Sequence, residues 1–218
     1  DRKEVESWEK LTRILTHEIM NSLAPVTSIS HTLLSSSGDA ETMRQGLETI
    51  HATSDRLLRF VDSFRAVTRI PAPQKAPFYL SELVAESLSL IPHEGIEVEV
   101  SIEPEDTMLY ADRALMSQVM VNLLKNATEA LMAQDCERKI TIRSTIDAEE
   151  RIQIEITNNG SAIPAEVAEN IFTPFFTTKT DGSGIGLAVS RQIVRLHGGS
   201  LRLKHNEEGR VTFAVVAE

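Results

Sequence analysis

The sequence predicts two folds in series: an all-α helical hairpin that dimerises as a four-helix bundle, then an α+β two-layer sandwich. Three observations carry this. Residues 1–70 show helical periodicity alone. Ile70-Pro71-Ala72-Pro73, followed by Pro77, is the Pro-dense break, and beyond it helical segments alternate with segments of period two. The expected division is therefore a hairpin over 1–70, a linker over 71–77 and a second domain over 78–218.

The first helix is read from Val5, Trp8, Thr12, Leu15, Ile19, Ser22, Val26, Ile29 and Leu33, which follow one another in alternating steps of three and four. Seven of these nine are apolar, which is a heptad seam. Ser35-Ser36-Ser37-Gly38-Asp39 breaks the pattern as a turn and helix start. A second seam runs through Leu47, Ile50, Ser54, Leu57, Val61 and Phe64. Two long helices with a short connection form an antiparallel hairpin. Leu11, Ile14, Leu23 and Leu34 lie beside the first seam, and Leu58, Phe60 and Val67 beside the second. One partner helix cannot cover that much apolar surface, so a homodimer through residues 1–70 is expected.

Past Pro77, residues 79–91 read as a helix and 96–102 as a half-buried strand. Residues 114–134 form a long helix with one apolar face. Residues 140–146 and 152–157 alternate around the acidic turn Asp147-Ala148-Glu149-Glu150, as in a hairpin. A helix over 187–197 stops at Gly198-Gly199. Residues 201–203 and 211–216 close a second hairpin around Asn206–Gly209. Strands joined mostly as hairpins, with helices between them, make a two-layer sandwich.

Composition narrows the function. The 218 residues are 41% hydrophobic and 25% charged, which excludes collagen-like, disordered and disulfide-scaffold classes. The net charge is −10; residues 1–70 hold 10 acids and 9 bases, leaving 22 and 13 beyond. No basic face is available for nucleic acid. Cys136 is the sole cysteine, so no internal disulfide or cysteine-based metal site is expected. No apolar run reaches membrane-span length, so this segment should make no membrane contact. The abrupt charged start, without a signal-peptide pattern, reads as a piece of something longer.

Four groups of residues could carry chemistry. His17 falls at a heptad position that points away from the seam, with Glu18 beside it and Asn21 one turn on along the same outward face. Pro25 removes the helical hydrogen bond to the Asn21 carbonyl, so a bend is expected there. His31, His51, His93, His197 and His205 have no such company and read as ordinary histidines. Asn122 and Asn126 lie four apart on a helix whose Leu123, Leu124 and Ala127 face the core. Such a pair is either a solvated face or a carboxamide oxygen for Mg²⁺ with a donor for phosphate. Asp181-Gly182-Ser183-Gly184-Ile185-Gly186-Leu187 leads into a helix, where bared backbone N–H groups suit a polyphosphate. It is neither a Walker A loop nor a Rossmann fingerprint. Phe175-Phe176-Thr177-Thr178 and Lys179 precede it, supplying a mobile segment with a cation for a terminal phosphate. Asn158-Asn159-Gly160-Ser161-Ala162-Ile163-Pro164 ends a strand with a tight turn, where a side chain could read a base edge.

In this order and spacing, His-Glu, Asn-x-x-x-Asn, Asn-x-Gly-x-Ala, Phe-x-Pro-Phe-Phe and Gly-x-Gly-x-Gly resemble the H, N, G1, F and G2 boxes of sensor histidine kinases. The resemblance covers essentially the whole chain and implies a phosphoacceptor hairpin followed by an ATP-binding domain of the Bergerat (GHKL) fold. It implies that His17 attacks the γ-phosphate of ATP through Nε2, while Glu18 hydrogen-bonds the other ring nitrogen. Asn126 would be the Mg²⁺ ligand, with Asn122 and Lys125 serving phosphate. Gly182, Ser183, Gly184, Gly186 and Leu187 would close over the triphosphate beside Phe176, Thr178 and Lys179. Asn158, Gly160 and Ala162 would meet the base. The partner implied is the receiver domain of a response regulator, phosphorylated on aspartate and dephosphorylated with the help of Asn21. The location implied is cytoplasmic, as part of a larger membrane-anchored sensor. Two positions depart from the G1 pattern, which commonly reads Asp-x-Gly-x-Gly: Asn158 stands for the aspartate and Ala162 for the second glycine. An asparagine can exchange acceptor for donor by half a turn of its amide. A weakly nucleotide-binding scaffold that docks and dephosphorylates a receiver is therefore the alternative.

Overall fold

A computed structural model describes residues 2–35, 40–132, 137–179 and 182–217, without the side chains of residues 2–11, 14 and 67. Ser36–Asp39 of the expected turn, the 133–134 end of the long helix, Cys136, Asp181 and the side chains of Val5, Trp8, Leu11, Ile14 and Val67 lie outside the described residues. The chain divides into two compact units, Asp1–Arg69 and Ile70–Glu218.

The first unit is helix α1 (Arg2–Ser35) packed on helix α2 (Ala40–Thr68). Helix α1 runs on through Pro25 as one element. Ser22 is buried, and Leu15, Ile19, Val26, Ile29 and Leu33 are half-buried against α2. Ile50, Ser54, Leu57, Val61 and Phe64 are half-buried in return. Leu47 departs from the expected seam, being 55% exposed. Gly46 takes its place: a Cβ there would come within 2.9 Å of the Leu33 side chain, so the absent side chain lets Leu33 lie on the α2 backbone. Met20, Leu23, Leu34, Met43 and Leu58 remain exposed beside it.

The second unit places helices on one face of a five-stranded sheet ordered β2-β4-β5-β7-β6. The strands are β2 (Glu97–Ile102), β4 (Lys139–Ile146), β5 (Ile152–Asn158), β6 (Ser200–Glu207) and β7 (Arg210–Ala217). Alternation fixes which face is covered. Ile152, Ile154 and Ile156 of β5 are buried, and Gln153, Glu155 and Thr157 between them are half-exposed. Helix α4 (Arg113–Met132) buries Leu115, Met116, Val119, Met120, Leu123, Leu124, Ala127 and Leu131 in this unit's core. Helix α3 (Leu80–Ser89) and helix α6 (Gly186–Leu196) pack beside it. The four-residue helix α5 (Ala165–Ala168) follows β5. The sandwich is thus α+β, but its sheet is mixed. Strand β2 pairs with β4 in parallel, through a crossover containing α4, where hairpin connections were expected to dominate.

A separate antiparallel pair, β1 (Ala76–Tyr79) with β3 (Met108–Ala111), has no counterpart in the sequence reading. Strand β1 takes Ala76 and Pro77 out of the expected linker, with Pro77 opposite Tyr110. Two strands of four residues are too short for alternation to register, and Pro77 argues against a strand except at an edge.

One cluster ties this unit together. Asp112 caps α4: its Oδ1 accepts the N–H groups of Ala114 and Leu115, each at 3.1 Å. Its Oδ2 accepts the N–H of Gln74 at 2.8 Å. Those donors, Gln74 first, hold its carboxyl below the usual carboxylate range. The Asp112 N–H donates to Nε2 of buried His197 at 3.0 Å, and Nδ1 of that ring donates to the Ile193 carbonyl at 2.8 Å. Lys75 donates to the His197 carbonyl at 3.3 Å. His197 is therefore a neutral structural histidine that joins the start of α4 to the end of α6.

Candidate functional site

In the first unit, the side chain of His17 is 73% exposed on α1. Asn21 lies one turn on, with its Nδ2 3.0 Å from His17 Nδ1. An amide nitrogen only donates, so Nδ1 accepts and the ring proton sits on Nε2. Glu18 Oε1 is 4.0 Å from Nδ1, beyond hydrogen-bond reach. The expected His17–Glu18 bond is thus not made here, because adjacent helical residues diverge by about 100° while those four apart share a face. The structure brings His17 together with Asn21 and leaves Glu18 4.0 Å from the ring.

In the second unit, helix α4 supplies Asn122, Lys125 and Asn126. Asn122 Nδ2 donates to the Gly186 carbonyl at 3.3 Å and to Ser190 Oγ at 3.2 Å. Its nitrogen is therefore committed to the first two turns of α6, and only its oxygen can serve a ligand. Ser190 thus contacts Asn122 although no sequence signal marks it. Asn126 Oδ1 accepts from Lys179 Nζ at 3.3 Å, and Lys179 also pairs with Glu129. Lys125 Nζ lies 3.8 Å from Glu129 on the other side. An amide oxygen and a carboxylate thus converge on one cation, here an ammonium. Hard oxygen donors of this kind are also the type that Mg²⁺ takes, with waters or phosphate oxygens completing its shell.

The glycines explain how the segment before α6 is held. Gly184 has φ +66°, and a Cβ there would stand 2.6 Å from the Phe175 carbonyl carbon. The Phe175 N–H donates to the Gly184 carbonyl at 2.9 Å, with Phe175 itself at φ +66°. Backbone lies on backbone at that point, which only glycine permits. A Cβ on Gly182 would meet Thr177 Oγ1 at 2.6 Å. Phe176 is half-buried, whereas Thr178, Lys179 and Ser183 are exposed. Helix α6 opens at Gly186-Leu187 with no side chain capping it, so its first N–H groups remain available to an anion.

Asn158 ends β5, only 4% exposed. Its Oδ1 accepts the Gly160 N–H at 3.0 Å. A Cβ on Gly160 would come within 2.7 Å of that oxygen. The amide is therefore not free to turn over: Oδ1 is fixed toward the loop backbone, and Nδ2 is the remaining polar atom. The Ala162 N–H donates to Glu208 Oε2 at 3.1 Å, which brings the β6–β7 turn against this loop.

A family model described as histidine kinase-, DNA gyrase B- and HSP90-like ATPase matches residues 111–217. Sensor protein FixL of Bradyrhizobium diazoefficiens is 31% identical over 213 residues, which cover 94% of this chain and 42% of that protein. The chain thus spans under half of that relative's length. The solved catalytic domain of histidine kinase ThkA is 34% identical, with a TM-score of 0.58, over 66% of this chain and 95% of that one. Histidine kinase ThkA, solved in complex with response regulator protein TrrA, is 27% identical with a TM-score of 0.66, over 100% of this chain and 64% of that one.

Proposed function

Because the chain belongs to the sensor histidine kinases, with a catalytic domain of the GHKL ATPase type, we propose that it phosphorylates itself on His17 from ATP and passes the phosphoryl group to an aspartate of a response-regulator receiver. The observation that carries this reading is the exposed His17 in a chain whose second unit matches the ATPase family model and resembles a solved histidine kinase catalytic domain. Likeness to a kinase solved with its response regulator supports the receiver as partner.

Attack by Nε2 needs its lone pair, so the ring proton must move to Nδ1 and find an acceptor there. Glu18 becomes that acceptor by closing the 4.0 Å gap, displacing the Asn21 amide. The Nε2–P bond then forms as the bond from γ-phosphorus to the bridging oxygen breaks. ADP departs, and the Nδ1 proton passes to Glu18. The transition state is loose, so positioning and charge neutralisation dominate. Asn126, with Glu129 beside it, would hold Mg²⁺, which neutralises phosphate charge when bound. Lys179 and the uncapped start of α6 serve the phosphates, and Asn158 and the Gly160–Ala162 loop serve the base. Asn21, displaced from His17, would orient a water for hydrolysis of the phosphorylated receiver.

The exposed Leu23, Leu34 and Leu58 favour a homodimer through the hairpin. No helix among the described residues is long and apolar enough to cross a membrane, and the segment fits the cytoplasmic part of a larger, membrane-anchored sensor. Incubation with γ-labelled ATP and Mg²⁺ tests the central step. Acid-labile, base-stable label is expected on the protein and absent from His17→Gln. Label persisting on that variant would move the acceptor elsewhere. No label on either protein, with a receiver still bound, would favour the scaffold.

A further inference from the structure

Asn206 has no assigned role, yet it makes a two-pronged contact with the loop after β5. Its Oδ1 accepts the Ile163 N–H at 2.7 Å and its Nδ2 donates to the Ile163 carbonyl at 2.8 Å. The same turn adds two more bonds. Glu208 Oε2 accepts the Ala162 N–H at 3.1 Å, and the Gly209 N–H donates to the Gly160 carbonyl at 3.1 Å. Between them they engage the backbone of Gly160, Ala162 and Ile163.

The strand geometry shows why Asn206 can reach. The β6–β7 register slips between Leu203 and His205. In a regular strand, Leu201 and Leu203 would be followed on the helix-covered face by His205, and Asn206 would point the other way. The slip pairs His205 with Thr212 and Asn206 with Val211 instead. Val211 is 3% exposed and also pairs with Asn158. Asn158, Val211 and Asn206 therefore form one cross-strand row on the covered face. The bulge turns Asn206 onto the face that Asn158 occupies, at the mouth of the same loop.

We propose that Asn206 is a positioning residue of the nucleotide site: with Glu208, it holds the 158–163 loop in the conformation that receives the purine. This rests on the reading above that the loop meets the base. When only a fraction of molecules has the competent loop, apparent affinity falls by that fraction. Losing two neutral hydrogen bonds should free the loop enough to weaken ATP binding about tenfold.

The test is titration calorimetry on the 218-residue chain with Mg²⁺ fixed, using ATP and, as a base-free probe, inorganic tripolyphosphate. Asn206→Ala should weaken ATP about tenfold and leave tripolyphosphate unchanged. Glu208→Ala should weaken ATP about threefold, with Glu208→Gln restoring it because the amide oxygen still accepts from Ala162. The Glu208 pair decides the matter should Asn206→Ala fail to fold. Unchanged ATP affinity, or equal loss for both ligands, overturns the proposal while leaving the kinase reading intact. Failure of the unsubstituted chain to bind ATP would overturn both.

Discussion

Replacing Asp112 by alanine removes the cap of α4 and the anchor of Gln74 in one step. The cap contributes about 1 kcal/mol. The Gln74 hydrogen bond, made to a half-buried charged acceptor, adds about 1 kcal/mol after discounting for solvent. The backbone N–H bond to His197 survives, since it needs no Asp112 side chain. The expected loss is about 2 kcal/mol, or roughly 4–8 °C in the unfolding temperature of a unit this size. Linkage gives the prediction a second, independent arm. The Asp112 carboxyl is depressed in the folded state by N–H donors from Gln74 and Leu115. Its stabilisation is fully present above the unfolded carboxyl value of about 4 and is lost as pH falls through the lower folded value. Calorimetric scans at pH 7 should therefore show the full gap between the two proteins. The gap should narrow as the pH is lowered below about 4. Equal unfolding temperatures at pH 7, or a gap that stays constant at low pH, would refute the reasoning.

Three further outcomes follow from the described geometry. Gly184→Ala, at φ +66° and 2.6 Å from the Phe175 carbonyl carbon, should expel the segment before α6 and lower ATP affinity at least tenfold; hydrogen exchange at Phe175 should rise in parallel. Leu23→Glu with Leu58→Glu adds charge to exposed apolar positions, so the hairpin should keep its helicity by circular dichroism while light scattering reports a shift toward monomer. Asn158→Asp keeps an acceptor for Gly160 and turns the remaining nitrogen into an oxygen. A charge-assisted bond to an adenine amine then replaces a mismatched donor, and ATP should bind roughly three- to tenfold tighter by calorimetry. Unchanged or weaker ATP binding would remove Asn158 from the base site.

The sequence made the helices legible because each buries one face: the α1 seam and the apolar side of α4 repeat over several turns. Strands β4 and β5 were legible because one face is covered and alternation is strict. Topology was not, since alternation says nothing about partners, and the parallel β2–β4 pairing depends on α4 crossing the sheet. Glycine spacing marked Gly184 as special, but only the backbone approach of Phe175 shows which neighbour demands it. Asn122 looked like a ligand residue, yet its nitrogen is occupied by α6, a long-range contact invisible to helical spacing. Asn206 read only as the start of a hairpin turn, whereas β6 runs on through it to Glu207. Its role depends on a one-residue slip that turns a strand's phase, and pattern reading assumes the phase is constant.

The pairing of β5 with β7 sets Asn158 against Val211, so the whole glycine-rich segment lies within a chain loop whose ends are pinned by the sheet. Loop-closure entropy grows only with the logarithm of length, about 0.6 kcal/mol for each doubling. The sheet therefore tolerates large changes in that segment at little thermodynamic cost. A fluorophore carried on the exposed side-chain position of Thr178, which spares the Gly182 and Gly184 contacts, should leave the unit folded. Its emission would then report whether added ATP changes the surroundings of that segment in the otherwise intact chain.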